Sequence, residues 1–209
     1  MDTTLTERAL DSGGKLSPLI VDKSMTRGLS LCNPSILMDG DNILVNIRNV
    51  SYVLHHCEGD MKFQTRWGPL NYVRPDNDAT LRTINFLASI EEDKVKDAFQ
   101  VETKKFDKKT LWEFIGLEDA RLVRWNDKLY LCGCRRDVNY DGESRMELSE
   151  IKIDGNKVKE ISRIRIPTPQ DSDSYCEKNW VPILDMPYHF IKWTNPTEVV
   201  KVDPTPVKK

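Results

Sequence analysis

Two adjacent carboxylates, Glu118 and Asp119, are followed closely by Arg121, and Lys178 and Asn179 form a second polar pair further along the chain. A carboxylic acid can protonate a departing oxygen, and cations can hold an anionic nucleophile or co-substrate. Two carboxylates beside an arginine and a lysine, in a sugar-sized pocket, would therefore suit glycosyl transfer to water or to phosphate. This chemistry requires a fold that brings the two polar segments together.

The segments around these residues are predicted to be β-hairpins. Apolar runs alternate with turns of residue types that tolerate positive φ, such as residues 39–42 and 126–128. The predicted strand–turn–strand units span residues 35–47, 121–132 and 181–191. Each unit opens on a polar pair, and the three pairs are Asn33-Pro34, Glu118-Asp119 and Lys178-Asn179.

The repeated hairpins predict an all-β fold, with further strands at residues 148–153 and 161–166. We interpret residues 31–209 as an incomplete β-propeller of about two and a half antiparallel four-stranded blades. The innermost strands of a propeller line one axial channel, so polar groups that begin these strands converge at one mouth of it. A β-sandwich is the competing architecture, and it would show more even strand spacing.

Three other segments carry weaker predictions. Residues 1–30 are polar and contain glycines, which indicates a leader that covers another surface rather than a domain. The only stretch that could hold a helix is residues 89–99, although its charges fit a loop equally well. The lysine-rich run at residues 104–109 is predicted to be a solvated turn rather than a basic binding patch.

Three segments, in the same order, resemble the motifs of a known enzyme family. Residues 116–122, Gly-Leu-Glu-Asp-Ala-Arg-Leu, are similar to the G-x-E-D-P-R motif of glycoside hydrolase family 130, the β-mannoside phosphorylases and related hydrolases. Residues 177–182 resemble the E-K-N segment of that family, and residues 33–36 resemble its N-P-[AS] opening in the first blade. The resemblance covers about residues 31–203.

This resemblance implies a five-bladed β-propeller with an inverting, single-displacement mechanism. By match to the motif, Asp119 would be the general acid, and Glu118 and Arg121 would shape the sugar subsite. An inverting enzyme needs room for the nucleophile beside the acid. A phosphorylase fills this room with phosphate, so it needs cations where a hydrolase needs a second carboxylate.

The family match also implies a set of ligands. Lys178 would help to hold phosphate in a phosphorylase, together with Arg135 or Arg136. The expected substrate is an oligosaccharide or glycoside, inorganic phosphate is a candidate co-substrate, and no other cofactor is expected. The remaining candidate substrate-binding residues are Asn33, Asn179 and Trp180.

Two features depart from the family pattern. Ala120 replaces the usual proline, which relaxes the backbone just after the expected acid. The residues that follow Tyr188 lack a clean match to the His-Arg dipeptide of phosphorylases. Because only about two and a half blades are predicted, we expect either a fragment of a longer protein, which we favour, or a ring completed by a partner, such as a second copy of the chain.

Structural roles compete with the catalytic ones. Asp119 and Arg121 could form an ion pair between neighbouring sheets, and Lys178 could be an ordinary surface lysine. Among the tryptophans, Trp67 and Trp180 lie beside polar motifs, which suits stacking on a sugar. The alternative function is a non-catalytic carbohydrate-binding or glycosyltransferase-associated module, and a protein-interaction scaffold is a third.

The composition argues against several classes of partner and enzyme. Acidic and basic side chains nearly cancel, 33 against 31, so we expect neither nucleic acid nor a membrane surface as a partner. No apolar run approaches the length of a membrane span, and the first residues lack the order of a secretory signal. The motifs of nucleotide-binding loops, serine hydrolases and zinc proteases are absent.

Five cysteines without an export signal indicate reduced thiols in a cytoplasmic compartment. Cys132 and Cys134 would point to the same face of a strand, and they lack the second ligand pair that a tetrahedral metal site needs. We therefore predict that they pack in the core and that no metal binds. His55 and His56 would point to opposite faces of a strand, which argues against a ligand pair there.

Overall fold

The chain folds mostly as β-strands, and the computed structural model describes residues 3–26, 29–54, 63–65, 68–72, 80–168 and 174–204. Within these ranges the helical elements are α1 (Leu5–Asp11) and a short 3-10 helix (Lys23–Thr26). The first strands are β1 (Ser30–Asp39), β2 (Asn42–Val50), β3 (Tyr52–Leu54), β4 (Phe63–Thr65), β5 (Gly68–Tyr72), β6 (Leu81–Glu91), β7 (Lys94–Glu102) and β8 (Phe114–Ile115). The later strands are β9 (Glu118–Trp125), β10 (Lys128–Arg135), β11 (Arg145–Asp154), β12 (Lys157–Arg165), β13 (Val181–Pro182), β14 (His189–Thr194) and β15 (Thr197–Lys201).

Residues in the left-handed region close the tight hairpins. β1 and β2 join through Gly40 (φ +62°), and β9 and β10 join through Asn126 and Asp127 (φ +49° and +61°). Gly, Asn and Asp adopt this region most readily, and the twist of such turns matches the twist of the flanking strands. The three predicted strand–turn–strand units are confirmed, although β13 is shorter than expected.

Two antiparallel four-stranded sheets form the body of the described structure. Sheet one has the order β1-β2-β6-β7, and sheet two has the order β9-β10-β11-β12. They join where β7 pairs in parallel with β12, with Val101 opposite Val158 and Glu102 opposite Lys159. The short strand β8 pairs with β6. Together they form one nearly closed, barrel-like sheet, so the all-β prediction is confirmed.

Two smaller sheets complete the described strands. Sheet three has the order β13-β14-β15, and a separate small sheet has the order β3-β5-β4. Each is antiparallel throughout. No helix in the described ranges is long and apolar enough to cross a bilayer.

Apolar side chains fill the space between sheets one and two. Leu44 and Leu87 of sheet one lie in the same buried cluster as Leu122 and Leu131 of sheet two. The opposite face of sheet one is covered in part by Val21 and Met25, which precede β1 in the chain. Each fully buried aliphatic side chain of this kind contributes about 1.5–3 kcal/mol to the free energy of unfolding.

Aromatic rings hold sheet three against the other face of sheet two. Phe190 of β14 has no exposed surface, and its ring lies 5.4 Å from Trp125 and 5.8 Å from Trp180, measured between centroids. The indole N–H of Trp125 also donates to the carbonyl oxygen of Ile183, at 2.9 Å. Sheets one, two and three therefore pack in succession, each through one apolar layer.

Two expectations about helices were wrong. Residues 89–99 form neither a helix nor a loop but the turn of the β6–β7 hairpin, closed by Glu92 and Asp93 in the left-handed region. The charged residues on the exposed side of β7 hid its strand pattern in the sequence. The other side of β7 buries Val95. The one α-helix of the described residues is α1, and its capping box between Thr4 and Glu7 was a readable signal.

The packing of sheet three on sheet two can be tested by a cavity mutation. Phe190→Ala should lower the free energy of unfolding by about 3–5 kcal/mol, because it removes a fully buried ring. The control Val199→Ala lies on the neighbouring strand, is half exposed, and should cost about 0.5 kcal/mol or less. Urea denaturation measures both, and a cost below about 1 kcal/mol for Phe190→Ala would contradict this packing.

Candidate functional site

The same backbone feature recurs where the first strand of each of sheets one, two and three begins. Asn33, Asp119 and Asn179 all lie in the left-handed region, with φ of +46°, +51° and +62°. The β1–β2 and β9–β10 ladders shift register at Asn33 and Asp119, as β-bulges do. Non-glycine residues held in this region cost energy, and they gather where the fold aims a side chain at a functional site.

The carboxylate of Asp119 is held by sheet one, although Asp119 itself belongs to sheet two. Its Oδ1 accepts a hydrogen bond from Asn33 Nδ2 at 2.6 Å and another from Arg48 Nη1 at 2.5 Å. The Asp119 side chain remains 22% exposed. The first predicted polar pair and the second are therefore brought together, one on β1 and one on β9.

Arg48 of β2 is the centre of this contact. Its side chain is only 8% exposed, and besides Asp119 it donates to the hydroxyl of Tyr52 at 3.0 Å and to Thr83 Oγ1 at 3.1 and 3.2 Å. Burial raises the pKa of Tyr52 to about 12, so the phenol keeps its proton at neutral pH. Sequence reasoning missed Arg48. The signal was a charged residue just after the predicted strand of residues 43–47, in a segment that is mostly apolar.

Two buried asparagines fix the backbone on both sides of the carboxylate pair. Asn46 Nδ2 donates to Asn85 Oδ1 at 3.0 Å and to the carbonyl oxygen of Ala120 at 3.1 Å. Asn85 Nδ2 donates to the carbonyl oxygen of Leu117 at 2.8 Å. The chain from Leu117 to Ala120 is therefore docked on sheet one at each end, with Glu118 and Asp119 between the two anchors.

Glu118 lies beside Asp119 in a different environment. Its side chain is 14% exposed, it makes no hydrogen bond among the described residues, and Arg48 Nη2 is 3.6 Å from its Oε2. Burial raises the pKa of Glu118, and the negative charge of Asp119 raises it further. The positive charges of Arg48, Arg136 and Lys178 act in the opposite direction but do not cancel the effect of burial. Among these charges only that of Arg48 comes with a direct contact to the Glu118 carboxyl.

The other predicted site residues have few contacts. Arg121, Lys178 and Asn179 are exposed, and none of them makes a hydrogen bond or ion pair within the described ranges. The structural hypothesis of an Asp119–Arg121 ion pair is wrong, because Arg48 takes that place. Lys178 and Asn179 precede β13 and belong to the approach to sheet three.

Trp180 lies in the core rather than at a surface. Its ring is buried against Phe190, its indole N–H donates to Glu177 Oε2 at 3.1 Å, and the Lys192 ammonium lies 5.6 Å from the ring centroid. The structure therefore gives Trp180 a packing role. The other tryptophan considered for sugar stacking, Trp67, and the histidine pair at residues 55–56 lie outside the described residues.

Arg135 and Arg136 have structural partners within the fold. Arg135 is buried and pairs with Asp137 at 3.1 Å and with Glu147 at 3.0 Å. Arg136 donates from Nε to the carbonyl oxygen of Gly142 at 2.9 Å and from Nη2 to the hydroxyl of Tyr175 at 3.2 Å. Arg135 is therefore committed to an ion network inside the fold.

A cavity of about 1050 Å³ opens between sheets one and two. Its lining includes Thr83 and Leu117, but Asn33, Glu118 and Asp119 are not part of it. The expected sugar-sized pocket around the carboxylates is thus not formed by this cavity.

The cysteines of β10 are core residues, which confirms the prediction that this pair packs in the core. Cys132 and Cys134 are buried in the layer between sheets two and three. Burial raises the pKa of both thiols, to about 12 for Cys134. Within the described part of the chain, no group of three or more His, Cys, Asp or Glu side chains could hold a metal ion.

Comparisons of the chain with protein-family models, with curated proteins and with solved structures each found no match. A proposal for its function therefore starts from its own residues and from the motif resemblance.

The role of Arg48 in joining the two sheets can be tested by its removal. Arg48→Met should lower the free energy of unfolding by about 2–4 kcal/mol, because it leaves two partly buried carboxylates without their cation. Arg124→Met is the matched control, since Arg124 also joins β9 to β1 through Asp39 but is about one-third exposed. It should cost about 1 kcal/mol or less. Equal losses in urea denaturation would contradict the central role of Arg48.

Proposed function

We propose that this chain is a carbohydrate-active protein that transfers a glycosyl group from a β-linked mannoside or a similar glycoside to phosphate or water. One observation carries the proposal. The carboxylates of Glu118 and Asp119 are held where sheets one and two meet, and the positive charge of Lys178, on the approach to sheet three, lowers the pKa of Glu118 without a direct contact. This juxtaposition combines acids with a free cation, as the resemblance to glycoside hydrolase family 130 implies.

In this proposal, sheets one, two and three are consecutive blades of a β-propeller. Their antiparallel order, their packing in succession and the left-handed residue at each opening support this arrangement. β1, β9 and β13 would then be the innermost strands. Their openings would face a common axial channel in which the substrate lies.

The polar side-chain atoms of this site that have no partner among the described residues suit a saccharide. Asp119 Oδ2 and the side-chain amide of Asn179 have no hydrogen-bond partner among the described residues, so they can accept from and donate to sugar hydroxyls. The cations of Arg121 and Lys178 are exposed and likewise unpaired in the described ranges. These two cations favour an anionic acceptor such as inorganic phosphate.

A non-catalytic carbohydrate-binding module is the second candidate. Two observations favour it: the carboxylates lie outside the cavity between the sheets, and the ring of Trp180 is buried. A binding module needs hydrogen-bonding groups at the channel mouth but no transferable proton. The two candidates therefore predict the same ligand and differ in turnover.

Turnover of a β-linked mannobiose with inorganic phosphate tests the proposal. The protein should release mannose 1-phosphate, or mannose if water is the acceptor, as followed by ³¹P NMR and sugar chromatography. Asp119→Asn should reduce turnover by about 10²–10⁴-fold, because it removes a carboxylate from the reacting site. The control Asp185→Asn replaces an exposed carboxylate in the β13–β14 connection and should leave turnover unchanged.

Calorimetry on the same variants separates the two candidates. Mannobiose affinity that survives Asp119→Asn, without turnover by the unmodified protein, would select the binding module. Neither turnover nor affinity for manno-oligosaccharides would contradict both.

A further inference from the structure

We infer that the cavity between sheets one and two is a second ligand site, which takes a phosphorylated sugar or a similar anionic polyol. The cavity has a volume of about 1050 Å³, the size of the larger small-molecule sites in proteins. It is separate from the carboxylate pair, because neither Glu118 nor Asp119 belongs to its lining. The inference therefore goes beyond the proposed glycosyl transfer and does not depend on it.

Most of the carboxylates that line this cavity already have a cation. Arg135 and Arg163 hold them in ion pairs of 2.6 to 3.1 Å. The paired lining carboxylates are those of Asp107, Asp137 and Glu160. Glu102 is the remaining acid of the described lining, and it is exposed and makes no ion pair with a described residue. The negative charge of the lining is therefore largely neutralised within the fold.

Three lysines in the exposed part of the lining have no counter-ion. Lys104 and Lys108 lie in the connection between β7 and β8, and Lys157 is the first residue of β12. None of them makes a hydrogen bond or ion pair within the described ranges. Three unpaired ammonium groups thus stand against the single unpaired carboxylate of Glu102. This excess of positive charge favours an anionic group on the ligand, and a phosphate can accept hydrogen bonds from several ammonium groups at once.

The buried part of the lining offers hydrogen-bonding atoms that the fold does not use. Arg135 is buried, with Nη1 on Asp137 and Nε on Glu147, and its Nη2 has no partner among the described residues. Oδ1 of Asp137 is likewise buried without a partner there. The side-chain amide of Gln100, half-buried in the same lining, makes no hydrogen bond with a described residue. Unused donors and acceptors on neighbouring side chains suit hydroxyl groups, which both donate and accept.

The mixture of polar and apolar side chains favours a sugar over an acyl chain as the uncharged part of the ligand. An acyl chain in this cavity would remove water from the buried Arg135–Asp137 pair without replacing its hydrogen bonds, which is costly. Phe99 also lines the cavity and is partly buried against the leucine cluster. Its ring supplies an apolar surface on which the C–H groups of a sugar can pack.

Titration of the full chain with mannose 6-phosphate, followed by amide NMR, tests the site. The amide signals of Gln100 and Gly116 should shift in a saturable way, because both residues line the cavity and the Gly116 N–H donates to Asp137. Mannose and inorganic phosphate should each bind at least about tenfold more weakly, since each makes only one of the two kinds of contact. Equal affinity for inorganic phosphate and for the sugar phosphate would overturn the assignment, as would shifts confined to Asn33 and Asp119.

Two matched double variants of the lysine-rich run test the role of the cations. Lys104→Met with Lys108→Met should weaken the binding of mannose 6-phosphate about tenfold, because both ammonium groups border the cavity. The control Lys105→Met with Lys109→Met removes the same charge from the same connection, but neither of its residues lines the cavity. It should change the affinity by about twofold or less. Equal losses in the two variants would mean that only net charge matters and would overturn the site.

The outcome for this site can be distinguished from the outcome for the proposed function. Shifts at the cavity without turnover of mannobiose would support the second site and contradict the proposed glycosyl transfer. Turnover of mannobiose without shifts at the cavity, with mannose 6-phosphate at millimolar concentration, would support the transfer and overturn the second site. Binding at the cavity should also persist in Asp119→Asn, because Asp119 is not part of the lining.

Discussion

The guanidinium of Arg48 joins sheets one and two at the point where the candidate site lies. It is buried, it donates to side chains on β3 and β6, and it holds the carboxylate of Asp119 on β9. A buried cation without partners is costly, so this end of the interface is stable only when both sheets are docked in one register. The position of the carboxylate pair follows from that constraint.

The apolar and the polar contacts between sheets one and two have different roles. The leucine cluster between the sheets supplies most of the stabilisation but little directional preference, because apolar contact is not directional. The asparagines Asn46 and Asn85 reach specific carbonyl oxygens, so they define where the chain from Leu117 to Ala120 must lie. These contacts hold the backbone on both sides of Asp119 while Asp119 itself stays in the left-handed region.

The sequence was sufficient for the features that local chemistry decides. Gly40 and Asn126 mark tight turns, and the alternation beside them marks strands, so the hairpins could be predicted. The contact between Arg48 and Asp119 joins residues 71 positions apart, and no local pattern encodes such a partner. The strand at residues 94–102 was missed for a related reason, since its pairing with β6 outweighs the helical preference of its charged residues.

The parallel pairing of β7 with β12 spans only two residue pairs, whereas each sheet pairs internally along most of its strands. Each meander can therefore form from chain neighbours before the two dock, and thermal opening should separate the meanders before either one melts. The carboxylate pair lies away from this seam, where β9 of sheet two approaches β1 and β2 of sheet one. The contacts of Asp119 with Asn33 and Arg48 should thus be lost early on heating, at temperatures where far-ultraviolet circular dichroism still reports intact strands.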